Sequence, residues 1–105
     1  MNPNAWYRIV AYRDFHDLPH YVLATNATED AFWILDAGFD HASDAYASIY
    51  TIHDAGRALS EATACFERHA GDSAALPALG CIPVAHVQFD ETGRGALKLT
   101  SPPIV

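Results

Sequence analysis

The first half of the chain contains four runs of β-forming residues with no helical pattern between them. These runs, 5–13, 20–25, 31–36 and 48–53, are rich in Trp, Tyr, Phe, Ile and Val. Residues 26–30 have the composition of a turn, so the second and third runs form a predicted hairpin. Strands joined by short connections pair antiparallel, because parallel pairing requires a long crossover. The sequence therefore predicts a mainly antiparallel sheet.

The second half of the chain predicts one main helix within residues 59–71. Ser60 is the expected N-cap, and Gly71 is a suitable residue just beyond the helix end. Residues 82–89 and 96–100 are expected to add a fifth and a sixth strand. We therefore expect an α+β fold: a mainly antiparallel twisted sheet, or a small partly closed barrel, of five or six strands with one main α-helix.

Two polar segments separate the early strands, and we expect a loop at 14–19 and irregular structure at 37–47. The chain of 105 residues suits a single domain over 1–105. Its apolar runs are too short to span a bilayer and no signal-peptide pattern is present, so we expect a cytoplasmic protein. Two cysteines are too few for a disulfide framework.

Acidic residues are concentrated in residues 14–56, which contain eight acids and no Lys or Arg in a chain of formal net charge −7. A strongly acidic surface repels phosphate backbones and anionic lipids. We therefore expect neither nucleic acid nor membrane as a partner. The eight acids are Asp14, Asp17, Glu29, Asp30, Asp36, Asp40, Asp44 and Asp54.

Histidines and aspartates in residues 14–20 and 36–44 are of the types that zinc accepts, but they follow no zinc-site spacing. The spacing of four between Asp36, Asp40 and Asp44 lacks the ligand order of a calcium loop. Neither a glycine-rich nucleotide motif nor a hydrolase elbow is present. We predict no catalytic residue, no cofactor and no metal site.

Aromatic residues are unusually abundant, with 2 Trp, 5 Tyr and 5 Phe. The run 5–13 is apolar on both faces, although one face of a sheet is enough to carry a core. One face is expected to meet the helix. The other is expected to be a barrel interior, a partner's surface, as in a homodimer, or an exposed patch.

Several short motifs give the chain a resemblance to a known family. They include Tyr-Arg-Asp-Phe-His-Asp-Leu-Pro and Ile-Pro-Val-Ala-His-Val-Gln-Phe-Asp, and they lie in residues 12–19, 39–40, 44–46, 79–84 and 87–90. Together they resemble a family of short bacterial proteins to which no activity is assigned, over about residues 6–90. His20 stands where that pattern has an arginine after the proline. The resemblance implies no catalytic residue.

Two functional hypotheses follow from these observations. The favoured one is a small acidic protein-interaction module, inhibitor-like or immunity-like, whose 14–56 stretch forms one negative face for a basic partner. The alternative is a small enzyme or ligand-binding barrel with its site near the 14–20 loop and the 36–44 segment. The predicted partner-binding residues are Asp14, Phe15, Asp17, Asp40 and Asp44.

Overall fold

The computed structural model describes residues 1–70 and 76–105, in which strands are the dominant regular structure. In chain order the elements are β1 (Trp6–His16), β2 (Leu18–Thr25), β3 (Phe32–Asp36), β4 (Phe39–Asp40), β5 (Ala45–Tyr46), β6 (Ile49–Gly56), α1 (Leu59–Arg68), β7 (Ala78–Pro83), β8 (Val87–Phe89) and β9 (Ala96–Leu99). No helix in the described ranges has the length and apolar character needed to cross a membrane.

Seven strands form one sheet in the order β7-β6-β3-β2-β1-β9-β8, and each neighbouring pair is antiparallel. β4 and β5 pair with each other in a separate ribbon. The sheet curls into a half-barrel with α1 packed against it, so the predicted α+β fold class is confirmed. The main sheet has seven strands because the predicted fifth strand, 82–89, is broken into β7 and β8.

The break is a 3₁₀ turn at Val84–His86, and it joins the two edge strands of the sheet. The link from Pro83 to Val87 can span about 14 Å at most, whereas the edges of a flat seven-stranded sheet lie about 29 Å apart. The sheet must therefore curl until its edges approach each other. The C-terminal segment covers the outer edge of β7, where Cys81 and Ile104 exchange backbone hydrogen bonds of 2.8 and 2.7 Å.

The predicted loop at 14–19 is wrong, because the chain there forms a hairpin. β1 continues to His16, β2 begins at Leu18, and the turn falls at Asp17. Asp14 and Asp17 have φ values of 55° and 65°. Aspartate tolerates this left-handed region better than most residues other than glycine. The polar residues of the segment 14–19, which show no strict alternation in sequence, therefore lie in and between two paired strands.

Both faces of the sheet are covered, which accounts for strands that are apolar on both sides. The concave face packs on itself as a barrel interior: Tyr7, Ile9, Val22, Ala24, Leu35, Ala37, Tyr50, Ile52, Ile82, Val87, Leu97 and Leu99. The other face meets α1 in a second cluster: Tyr21, Leu23, Phe32, Ile34, Ala55, Ala62 and Phe66. Of the alternatives left open for the second face, the structure shows the barrel interior.

The helix α1 lies within the predicted range but does not begin as predicted. Its N-cap is Ala58, with no side-chain cap, so the expectation for Ser60 is wrong. Glu61 takes the stabilising role instead, because its carboxylate accepts a hydrogen bond of 3.0 Å from the backbone N–H of Arg57. Gly71, the expected residue beyond the helix end, lies outside the described residues.

Tyr50 ties the barrel interior to the β1–β2 hairpin. It is fully buried, and its hydroxyl donates a hydrogen bond of 2.5 Å to the carbonyl oxygen of Pro19. Tyr50→Phe keeps the ring but removes this donor, so we expect the free energy of unfolding to fall by about 1–3 kcal/mol in urea denaturation. Tyr12→Phe, at a ring that is 39% exposed, is the control and should change it by less than about 0.5 kcal/mol. Equal stability of Tyr50→Phe and the wild type would contradict this role.

Candidate functional site

The two segments that the sequence analysis singled out, 14–20 and 36–44, meet at one end of the sheet. Strand pairing brings them together, since Tyr21 of β2 is the register partner of Asp36 of β3. They enclose a pocket of about 250 Å³, which we call the rim pocket. Its lining residues are Asp14, Tyr21, Asp36, Gly38, Phe39 and His41.

Asp36 is the most deeply placed acid of the rim pocket. It lies at the end of β3 between Tyr21 and Thr51 in the register, and it is half-buried. Burial raises the pKa of Asp36, the nearby Asp14 carboxylate raises it further, and His53 opposes the shift. Burial and the second carboxyl thus both disfavour the charged form of Asp36.

Asp14 supplies the second carboxyl from an unusual backbone conformation. It lies within β1, yet its φ is 55°. The neighbouring Arg13 is engaged elsewhere, because its guanidinium pairs with Glu67 of α1 and lies 5.6 Å from the ring centre of Phe66. The positive charge next to Asp14 in sequence is therefore held at the helix.

Tyr21 forms one wall of the pocket and is fixed by the helix. Its ring stacks on Phe66 at a centroid distance of 4.5 Å, and its hydroxyl donates a hydrogen bond of 2.8 Å to the carbonyl oxygen of Phe66. Burial and the Asp36 carboxylate both raise the pKa of Tyr21. The hydroxyl is therefore a protonated donor at neutral pH, and the wall presents an aromatic ring.

The opposite wall comes from the ribbon β4–β5, in the segment 37–47 that the sequence predicted to be irregular. Phe39 packs edge-on against His41 and Tyr46, at centroid distances of 5.0 and 5.1 Å. Tyr46 in turn stacks on His20 at 3.7 Å, with the two rings 13° from parallel, and lies 5.4 Å from His16. Aromatic contacts thus hold the ribbon against the β1–β2 hairpin.

The five predicted partner-binding residues are distributed unevenly around this site. Asp14 lines the pocket, and Asp17 and Asp44 are exposed in turns near it, with Asp44 at a φ of 54°. Phe15 lies in a different contact, because the guanidinium of Arg94 covers its ring at 3.9 Å. The backbone of Asp40 pairs with Ala45 in the ribbon.

Sequence reasoning did not predict Tyr21, Phe39 or His41 as partner-binding residues, and it considered Asp36 only as one of the acids of 14–56 and as a rejected calcium ligand. Tyr21 carried no usable signal, because an aromatic residue inside a strand predicts core. The aspartate that ends the apolar run 31–36 was the one signal available for Asp36, since an acid rarely sits where an apolar strand is being buried.

The acids of the stretch 14–56 lie toward both ends of the sheet, and a single negative face for a basic partner stays a prediction. Glu29 and Asp30 lie in the β2–β3 turn, and Asp54 pairs with Trp33 near that same end of the sheet. The eight residues of β2 separate this end from the β1–β2 turn, and their seven steps span about 23 Å at the rise of a strand. Charges that far apart are screened from each other at physiological salt.

The histidines at this end of the sheet lie among aromatic rings. Among the described residues, no group of three or more His, Cys, Asp or Glu side chains is arranged to hold a metal ion. The rings of His16 and His20 lie 6.0 Å apart, and the ring of Tyr46 packs against both. The histidines of this end therefore belong to an aromatic cluster.

Comparison with known proteins adds no assignment to this geometry. No protein-family profile, curated protein or solved structure gives a significant match to the chain. The resemblance to short bacterial proteins therefore stays a prediction, and the function has to be argued from the rim pocket itself.

The raised pKa of Asp36 has a consequence for stability that can be measured. An acid whose pKa is raised by folding favours the folded state less as pH rises through that pKa. Asp36→Asn removes this titration while keeping a carbonyl oxygen in place. We expect the variant to gain stability relative to the wild type as pH rises from about 4 to about 7, as measured by thermal unfolding.

Asp54→Asn is the matched control for this experiment. Asp54 lies exposed on β6 and accepts a hydrogen bond of 2.9 Å from the backbone N–H of Gly56, which the asparagine oxygen can still accept. It reports how loss of one surface charge alters the pH profile. If the stability of the two variants changed with pH in the same way, the partly buried position of Asp36 would make no contribution to the pH dependence of stability.

Proposed function

We propose that this protein is a non-enzymatic interaction module that binds arginine or lysine side chains of a basic partner protein in the rim pocket. One observation carries the proposal: two carboxyl groups, Asp14 and Asp36, line a single pocket, and no Lys or Arg is among the described residues that line it. The proposal narrows the acidic-module hypothesis from the whole stretch 14–56 to one end of the sheet.

The chemistry of the pocket suits an organic cation. Carboxylates form short charge-assisted hydrogen bonds with guanidinium and ammonium groups. Aromatic rings attract the same cations through their faces, and the exposed Phe39 supplies such a ring. A bound cation would also compensate the partly buried charge of Asp36, so binding would relieve an unfavourable interaction as well as form new ones.

Exposed acids beside the pocket support this reading by their position. Asp17 and Asp44 project from the two turns that flank the rim pocket, and both are exposed. Charges at the edge of an interface mainly raise the association rate and select partners of opposite sign. They would guide a basic segment toward the pocket, while the pocket residues supply the affinity.

A second candidate function uses the same pocket for a small cationic molecule. The favouring observation is the volume of about 250 Å³, which is near the lower end of small-ligand pockets. The raised pKa of Asp36 is also typical of residues in binding and catalytic sites. Agmatine, which carries a guanidinium group without a peptide backbone, distinguishes this candidate from a protein-binding module.

The test is a titration with a short peptide of alternating arginine and glycine, followed by amide NMR shifts. We expect shift changes centred on residues 14–21 and 36–46, and none of comparable size with the same peptide carrying neutral citrulline in place of arginine. Agmatine binding as tightly as the peptide would favour the small-molecule candidate. Equal shifts with arginine and citrulline peptides would contradict recognition of a cation.

A charge-matched pair of variants tests where the peptide binds. Asp14→Asn/Asp17→Asn/Asp44→Asn removes three charges at the rim pocket, and asparagine tolerates the left-handed backbone at these positions. We expect the Kd to rise about 10-fold or more. Glu29→Gln/Asp30→Asn/Asp54→Asn removes three charges at the opposite end and should change it about 2-fold or less. Equal losses would mean that only net charge matters.

A further inference from the structure

The ribbon that carries Phe39 and His41 is built like a hinged flap. Its base is closed by a hydrogen bond of 2.9 Å from the backbone N–H of Ala47 to the carbonyl oxygen of Gly38. Just outside this base, the backbone N–H of Ala37 donates a hydrogen bond of 2.7 Å to the carbonyl oxygen of His20. The backbone N–H of Val84 donates one of 2.8 Å to the carbonyl oxygen of Ser48. The segment 38–47, which we call the flap, thus has both ends anchored to the main sheet.

Next to its base, the flap meets the β1–β2 hairpin through Tyr46, the residue before Ala47. The ring of Tyr46 covers the imidazole of His20 in a near-parallel stack at 3.7 Å, and the ring of His16 lies beside both. The Nδ1 atom of His20 is buried without a hydrogen-bond partner in the described chain. A neutral imidazole tolerates this position, whereas an imidazolium would need solvent or an acceptor at that nitrogen.

We infer that the flap is a pH-sensitive cover of the rim pocket: protonation of His20 releases Tyr46, the flap lifts, and Phe39 and His41 leave the pocket. The inference rests on the proposed function only in its effect on binding: the pocket loses one wall when the flap lifts, so a bound cation would be held less tightly. The opening itself is a property of the cluster of His16, His20 and Tyr46.

The direction of the pH dependence follows from the groups that face His20. Burial and the neighbouring His16 lower the pKa of His20, while Asp14 and a hydrogen bond from the His20 ring to the backbone of His16 oppose this shift. Tyr46 on β5 is the other titratable group against the ring, and its face favours a cation. The net shift still favours the neutral imidazole, so closure is strongest above pH 6.5 and weakens as pH falls below it.

Asp36 titrates with the opposite sign and has to be separated from this effect. Because the pKa of Asp36 is raised, its protonation in acid favours the folded pocket. Measurements in an Asp36→Asn background remove that contribution. His41 lies in the same flap, so His41→Gln serves as the control for a second histidine at this site.

The experiment follows the ring protons of Tyr46 by NMR between about pH 7.5 and pH 5.0, which spans the histidine range. We expect the Tyr46 protons to be shifted upfield by the His20 ring at the higher pH. They should move toward unstructured values with the same midpoint as the His20 protons. Tyr46 shifts that stay constant across this range while His20 titrates would overturn the inference.

Two substitutions of His20 make the result independent of one variant's folding. His20→Phe keeps a ring under Tyr46 but cannot be protonated, so the upfield shift should persist at both pH values. His20→Asn removes the ring, and Tyr46 should show unstructured values at both. His69→Gln, on the helix side, should behave like the wild type. A His20→Phe protein whose flap still opens in acid would contradict the role of His20.

The arginine–glycine peptide then separates this inference from the proposed function. If both hold, the Kd rises at pH 5.0 by a factor about 5-fold larger in the wild type than in His20→Phe, and the rise that remains in His20→Phe reports protonation of Asp36. If the flap opens in acid but the peptide binds at neither pH, the pH-sensitive cover is supported and the proposed function is contradicted. If the peptide binds but the flap stays closed at both pH values, the proposed function is supported and the pH-sensitive cover is contradicted.

Discussion

The three-residue link between β7 and β8 is the constraint on which the rest of the structure depends. It ties together strands that lie at the two edges of a seven-stranded sheet, so the sheet cannot stay flat. Once curled, the sheet encloses its own concave face, which becomes a filled interior around residues such as Val22 and Leu35. The curvature also directs the opposite face outward, where α1 packs against it.

A filled interior leaves the ends of the sheet as the places where this fold can build a site. The β1–β2 hairpin reaches farthest, because β1 has 11 residues whereas β3 has 5 and ends at Asp36. Its overhanging part needs a cover, and the flap at 38–47 packs back on it through Tyr46. The rim pocket forms where this overhang, the flap and the end of β3 meet.

Much of the fold could be predicted from the sequence, and the site much less. Runs such as 20–25 and 31–36 identify strands because local β-forming composition and a turn between them agree. The hairpin at Asp17 could not be predicted, since it depends on left-handed aspartates that local composition describes only as polar. The pocket depends on the register between Tyr21 and Asp36, and register is a property of tertiary pairing.

The two positions where the chain departs from ordinary strand chemistry coincide at this pocket. Asp14 holds a left-handed backbone within β1, and Asp36 holds a carboxyl where burial raises its pKa. Each departure costs stability, and such costs persist where the surrounding structure enforces them. Sheet pairing and α1 enforce both here, through Tyr21 and its stacking on Phe66. The pocket thus gathers two carboxyl groups in unusual local settings, and the proposed cationic ligand would interact with the charges of both.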